Sequence, residues 1–251
     1  MDMYTATGEV QRIDKPRSTY PTRLVGLLEA AGNGQAWVGT ASLIAPRFVV
    51  TAAHCLEGAT SGSVKFGYDI NDVTNDSAKY SIVACRIPTA YNGGGNRAWD
   101  VGVAELETAY MGEQYCLKAP ADPAPRQFGF WVGLDNVLIY GYPATRKAVT
   151  ASEYARIEVG HQYVVGGKKH GVDVSENLLQ YQFDTRGGLS GAPILLPDLK
   201  TVVGVHASWN VVDDKQMGIG TLFTPAVTAW ISGAVTSLMN ATGPRPFLSQ
   251  G

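Results

Sequence analysis

Cysteine is scarce in this chain, with three among 251 residues: Cys55, Cys85 and Cys116. At most one internal disulfide can form, and one thiol is always left over. No CxxC spacing and no Cys/His cluster occurs, which excludes a recognisable metal centre, and no cofactor motif is found. Basic residues are not concentrated anywhere. Lys and Arg number 20 against 22 Asp and Glu, for a net charge of −2. Nucleic acid is therefore excluded as a partner. No apolar run approaches the ~20 residues that cross a bilayer, so no membrane span is expected. The start, Met1-Asp2-Met3-Tyr4, lacks the basic-then-apolar profile of a signal peptide. That leaves an intracellular protein, or a secreted one whose leader is not in this chain. No internal repeat is found.

What is present describes a globular protein. Hydrophobic residues at 45% and charged residues at 17% suffice for a real core. The length fits one large domain or two small ones. Two N-glycosylation triplets, Asn75-Asp76-Ser77 and Asn240-Ala241-Thr242, tilt the reading toward an extracellular protein. A monomer is expected.

Short β-branched runs and 29 glycines predict an all-β chain. Strands are expected at Leu24–Leu28, Ala36–Ile44, Phe48–Thr51, Val64–Tyr68, Tyr80–Ile87 and Val101–Leu106. Turn-rich text separates them, as at Gly58–Gly62 and Asn92–Asn96. Three prolines in the segment from Ala119 to Pro125 read as an extended connector. A second set of strands follows at Asn136–Gly141, Ala155–Val159, Leu178–Phe183, Ala192–Leu196, Val202–His206 and Gly220–Thr224. Two Greek-key β-barrels fit this pattern better than one open sheet. The expected units are residues 1–118, a linker at 119–126, a second barrel at 127–224, and a C-terminal helix and tail at 225–251. The helix has Thr224 as N-cap and Pro225 in its first turn. Its apolar stripe is Val227, Trp230, Ile231, Ala234, Val235, Leu238 and Met239. Gly243 and Pro244 stop it. Such a stripe is expected to pack on a barrel.

Three short segments carry chemistry. Gly187-Gly188-Leu189-Ser190-Gly191-Ala192-Pro193 suits a tight turn that presents one hydroxyl. Its glycines let a substrate carbonyl approach bare N–H groups. A serine hydroxyl needs a base to become a nucleophile. Thr51-Ala52-Ala53-His54-Cys55 places one of only four histidines where a buried strand ends. The bland reading of His54 is a polar core or surface residue. Trp99-Asp100-Val101 places an acid at the head of an apolar strand. A carboxylate entering a core needs a hydrogen-bonding partner, and an imidazole supplies one. The bland reading of Asp100 is a residue of the turn before the strand.

Together with Gly39-Thr40-Ala41-Ser42-Leu43-Ile44, these segments resemble the chymotrypsin/trypsin superfamily of serine proteases. Asp100 follows His54 by 46 positions, and Ser190 follows Asp100 by 90. The resemblance runs from about Tyr20 to Trp230. It implies two six-stranded antiparallel barrels with a site in the cleft between them. It further implies Ser190 as nucleophile, His54 as general base and Asp100 as its orienting acid. The N–H groups of Gly188 and Ser190 would receive the oxyanion, and the substrates would be polypeptides.

Two features depart from trypsin. Leu189 stands where trypsin-like enzymes carry the Asp that pairs with a new N-terminal amine. Gly39 stands where the cysteine partner of Cys55 would be; Cys55 is then a thiol, or pairs with Cys85 or Cys116. These departures resemble the glutamyl-endopeptidase (V8-like) branch. By that resemblance Thr185 and His206 bind an acidic P1 side chain, with Gly220 on the opposite pocket wall. Asp184 supports the rival reading, a trypsin-like pocket for Arg or Lys. Ser208-Trp209 matches the trypsin pocket wall if the frame shifts by one residue, and Ser208 would then support Asp100. Arg186 reads either as a partner of Asp184 or as a solvent-facing loop residue. His206 also has a bland reading, a satisfied core histidine. Besides a secreted endopeptidase, two other classes stand: a non-catalytic or zymogen-like binding module on the same barrels, and an intracellular regulatory protease.

Overall fold

The fold comes from a computed structural model. It describes residues 10–14, 16–18, 20–71, 79–93, 96–110, 136–144, 160–173, 176–181, 185, 187–199, 201–212, 215–242 and 246–250. Cys116, the proline-rich connector 119–126, the strand expected at 155–159, Asp184, Arg186 and the helix stop at Gly243-Pro244 lie outside these residues.

The first sheet holds β2 (Val25–Gly32), β3 (Gln35–Ala45), β4 (Phe48–Thr51), β5 (Ser61–Phe66), β6 (Lys79–Ile87) and β7 (Gly102–Leu106). Its order is β6-β5-β2-β3-β4-β7, and pairing of β6 with β7 closes the ring. The second sheet holds β8 (Asn136–Gly141), β9 (Tyr163–Asp173), β10 (Leu178–Tyr181), β11 (Pro193–Leu195), β12 (Val202–Val212) and β13 (Lys215–Leu222). Its order is β9-β10-β13-β12-β11-β8, and β8 pairs back to β9. The expected two-barrel, all-β architecture is therefore observed.

Period-two alternation joins the barrels. On β8, Val137 and Ile139 belong to the second barrel's own apolar cluster. The alternate residues Leu138 and Tyr140 join the larger cluster built on the first barrel. One strand thus lines one barrel with one face and seals it to the other with the opposite face. β4 and β7 are buried at every position, so neither shows the in/out pattern of a half-exposed strand. Glu105 on β7 is tolerated there because Arg47 Nη2 lies 2.9 Å from its carboxylate.

Helix α1 (Pro225–Asn240) begins as expected. Val227 N–H donates to the Thr224 hydroxyl at 3.4 Å. Val227, Ile231, Ala234 and Leu238 are buried and join the first barrel's cluster. Met239, expected in this stripe, is instead 66% exposed. Asn240 ends the helix before the stripe can wrap round again.

Both ends of the described chain cross over. β1 (Val10–Arg12) pairs with β9 of the second barrel. α1 and the parallel strand β14 (Leu248–Gln250), paired with Cys85–Ile87, attach to the first barrel. The expected units 1–118 and 225–251 therefore each reach across to the other half. Among the described residues, no helix is long and apolar enough to cross a membrane.

Candidate active site

His54 sits in a single 3-10 turn, Ala53–Cys55, directly after β4. The Trp37 indole N–H holds that turn, donating to the Cys55 carbonyl at 2.9 Å. Asp100 follows a second 3-10 turn, Arg97–Trp99, which is capped by the Asn96 side chain. Strand pairing between β4 and β7 brings these two turns together. Thr221 on β13 fixes the second of these turns from the other barrel: its Oγ1 donates to the Arg97 carbonyl at 2.7 Å and lies 3.2 Å from the Asp100 carbonyl oxygen, with one proton for the two.

The expected contact between His54 and Asp100 is present twice. The imidazole Nδ1 lies 2.7 Å from Asp100 Oδ2, and the His54 backbone N–H donates to Oδ1 at 3.0 Å. Both carboxylate oxygens are thereby used. Asp100 is 5% exposed, so the pair is shielded from water on the acid side. Burial works against a charged imidazole, but Asp100 and the neighbouring Cys55 outweigh it. The His54 pKa is raised above the ordinary histidine value.

Ser190 lies in the glycine turn before β11, half-buried. Its backbone carbonyl is 3.6 Å from Cys55 Sγ, which puts the turn against the residue beside His54. Among the described residues, the Ser190 hydroxyl itself makes no hydrogen bond. The turn requires its glycines. Gly188 has φ +93, and a Cβ there would sit 2.4 Å from the Tyr142 carbonyl oxygen. Gly191 has φ +82, and a Cβ there would sit 2.1 Å from Thr51 Oγ1.

The four carbonyls from Gly187 to Ser190 each have a donor. Ala144 N–H reaches Gly187 O at 2.7 Å, Ala192 N–H reaches Leu189 O at 2.8 Å, and Thr40 N–H reaches Ser190 O at 2.8 Å. The Thr40 hydroxyl donates to Gly188 O at 2.8 Å. Among the described residues, the N–H groups of Gly188 and Ser190 have no acceptor. Leu189 does not face solvent. It is 5% exposed, in the second barrel's apolar cluster.

The remaining candidates divide. His206 on β12 is 2% exposed, and its Nδ1 is hydrogen-bonded to the Tyr181 hydroxyl of β10. Burial, with a smaller effect of the His54 charge, pushes the His206 pKa down to about 3. Thr185 is buried. Gly220 pairs with His206 across β13, and a Cβ there would meet Ile194 Cδ1 at 2.1 Å. A β-bulge between His206 and Ser208 puts the extra residue, Ala207, where the two expected frames differed. Ser208 does not support Asp100: its buried Oγ has no hydrogen-bond partner among the described residues. Cys55 and Cys85 are both buried thiols. Tyr181 and Thr40 both stand in segments that resemble the family, yet nothing in those segments marks them as partners of His206 and of the turn.

The family model described as Trypsin matches residues 19–231. The glutamyl endopeptidase of Bacillus licheniformis is 28% identical over 207 residues, covering 76% of this chain and 55% of that protein. The chain thus spans about half the length of that curated relative. Among solved structures, a Glu endopeptidase in complex with MPD superposes with a TM-score of 0.69 at 20% identity, covering 91% of this chain and 97% of that one. The protease Anisep from Arthrobacter nicotinovorans gives 0.64 at 16% identity, covering 90% and 99%. At such identities the two structures speak to the fold. The family match reaches from just before β2 into α1, across both barrels, and the chain belongs to the trypsin family of serine peptidases.

Proposed function

We propose that this chain is a serine endopeptidase acting through an acyl-enzyme on Ser190, with a preference for acidic P1 residues. The observation that carries the first part is the pairing of two arrangements. One is a histidine held at two points by a buried acid. The other is a glycine turn whose carbonyls from Gly187 to Ser190 are engaged and whose Gly188 and Ser190 N–H groups are not.

The chemistry follows from these atoms. With Nδ1–H donating to Asp100, the lone pair of His54 is on Nε2, where it can accept the Ser190 proton. The Ser190 oxygen attacks the scissile carbonyl, whose oxygen becomes negative as the tetrahedral adduct forms. The Gly188 and Ser190 N–H groups receive that charge. His54 passes its proton to the leaving amine, and water then repeats the sequence on the acyl-enzyme. Asp100 stabilises the imidazolium in both halves.

For the P1 side chain, His206 and Thr185 supply the donors. Burial keeps Tyr181 a neutral phenol and His206 a neutral imidazole. The phenol proton then goes to Nδ1, which leaves the imidazole proton on Nε2. A neutral N–H and a hydroxyl can pair a carboxylate without a buried opposite charge. The name of the Bacillus licheniformis relative, a glutamyl endopeptidase, agrees with this pocket.

The test joins fluorophosphonate labelling to a P1-varied peptide library. We expect an adduct on Ser190, none in Ser190→Ala, and cleavage after Glu or Asp that His206→Ala abolishes. No adduct on folded protein would return the chain to the binding-module reading. Cleavage after Arg or Lys would move specificity to Asp184.

A further inference from the structure

We propose that Thr40 is the positioning residue that holds the oxyanion turn in its working shape. The proposal rests on the reading of Ser190 and its turn given above. A peptide unit is planar, so whatever holds its carbonyl aims the N–H of the following residue. The Gly188 and Ser190 N–H groups share units with the Gly187 and Leu189 carbonyls, held by the Ala144 and Ala192 N–H groups. Their aim is kept only if the adjoining units are held as well. The turn needs two N–H groups, those of Gly188 and Ser190, aimed at one point. Leu189 between them is apolar and buried, so no charge on that side chain can anchor the loop. The anchor for the adjoining units comes from the other barrel.

Thr40 lies on β3 of the first barrel and is fully buried. Its backbone N–H donates to Ser190 O at 2.8 Å. Its hydroxyl donates to Gly188 O at 2.8 Å and accepts from Tyr142 N–H at 3.0 Å. A threonine hydroxyl has one proton to give, and here it goes to the turn. The same residue thus grips the Gly188–Leu189 and Ser190–Gly191 units, which flank on both sides the unit that carries the Ser190 N–H. Its own carbonyl is held by Thr51 Oγ1 at 2.7 Å, and Thr51 ends the strand that leads to His54. Two threonine hydroxyls therefore connect the strand carrying the base to the loop carrying the nucleophile. Gly191 packs onto this link so closely that a Cβ would sit 2.3 Å from Thr40 O. None of the sequence motifs assigns this task to Thr40.

The role differs from ordinary core packing in what it changes. A turn held by Thr40 matters when charge develops on the substrate oxygen, not when substrate first binds. Thr40→Val keeps shape and removes the hydroxyl; Thr40→Ser keeps the hydroxyl. In Thr40→Val we expect kcat to fall about 30-fold with KM within about twofold, below the 10²–10³ typical of deleting an oxyanion donor outright. Affinity for a peptide aldehyde, which mimics the adduct, should fall in step with kcat/KM, while affinity for a cleaved product peptide holds. Thr40→Ser should recover most of the loss.

Equal weakening of aldehyde and product peptide, or a lowered melting temperature with unchanged kcat, would overturn the proposal. If Thr40→Val does not fold, Thr51→Val takes its place. It removes the support of the Thr40 carbonyl, and we expect about a threefold loss in the same aldehyde-to-product ratio; no change overturns the link. An unlabelled, inactive wild-type protein would instead defeat the Ser190 reading. An active wild type with an unaffected Thr40→Val defeats only this one.

Discussion

His54 in the first barrel carries a carboxylate on Nδ1, while His206 in the second carries a phenol. Both side chains are the same, and both lose water on folding. Asp100, together with the neighbouring Cys55, more than repays that loss and raises the His54 pKa. The phenol at Tyr181 brings no charge, so burial dominates and His206 is pushed down to about 3. One imidazole is prepared to take a proton and the other to refuse it. The partner atom sets the role, and strand pairing sets the partner. β4 and β7 bring Asp100 to His54; β10 and β12, both paired to β13, bring Tyr181 to His206.

The strongest way to break the contrast is Asp100→Asn, which gives His54 a neutral neighbour like that of His206. By the usual cost of this change in a triad, kcat should fall by about 10⁴, measured on a cleavable P1-Glu peptide. In the unaltered enzyme, kcat/KM should rise with pH through a value above 6.5, because protonated His54 cannot act as base. In the variant that limb should move to lower pH.

The contrast also predicts opposite linkages to stability. His206 has a folded pKa below its unfolded value, so the unfolded chain binds more protons between pH 6.5 and about 3. Stability should therefore fall on acidification across that window, by on the order of 5 kcal/mol in total. His54 has a raised folded pKa, so its contribution is complete below 6.5 and is lost as pH rises beyond it. Urea unfolding at pH 7 and pH 4 measures the first effect, and His206→Gln should flatten that acid slope.

A smaller change sharpens the first-barrel side. A Cβ built on Gly39 lies 3.7 Å from Cys55 Cβ, within the range that disulfides span. Gly39→Cys should close a bridge beside His54 and add about 3 kcal/mol to unfolding stability, read by thiol titration and urea. A melting temperature that does not respond to reductant would show that no bridge forms.

The smallest effect is expected from Tyr181→Phe. It leaves His206 Nδ1 without its donor, at a cost of about 2 kcal/mol. It also lets the imidazole proton sit on either nitrogen. The ratio of kcat/KM for P1 Glu over P1 Gln should drop about tenfold if half or more of the donor contribution is lost.

Much of this was legible in the chain before its structure. The His54, Asp100 and Ser190 segments announce themselves because chemistry demands particular residues beside particular strand ends. The cap of α1 is legible because Thr224 and Pro225 act locally. β9 is not, since Gly166-Gly167-Lys168-Lys169 interrupts its alternation; two neighbouring strands, β8 and β10, impose the strand. Ser61 and Gly62 read as turn text yet enter β5, held by pairing with Ala31 and Ala30. β1 and β14, three residues each, are too short to show a period. Thr40 is invisible for a related reason. Its hydroxyl's partners are 102 and 148 positions away, and nothing local distinguishes that hydroxyl from that of any strand threonine.

The crossed ends give the order of synthesis a meaning. The barrel that carries His54 leaves the ribosome first, yet β6 has no parallel neighbour until residues 248–250 appear. Its outer apolar face stays bare until α1 follows the whole of the second barrel. The half made first is thus finished last, and its closing contacts span more than a hundred positions. A chain interrupted within the second barrel leaves behind a first barrel without its strap, an unfinished object for proteases and chaperones to collect.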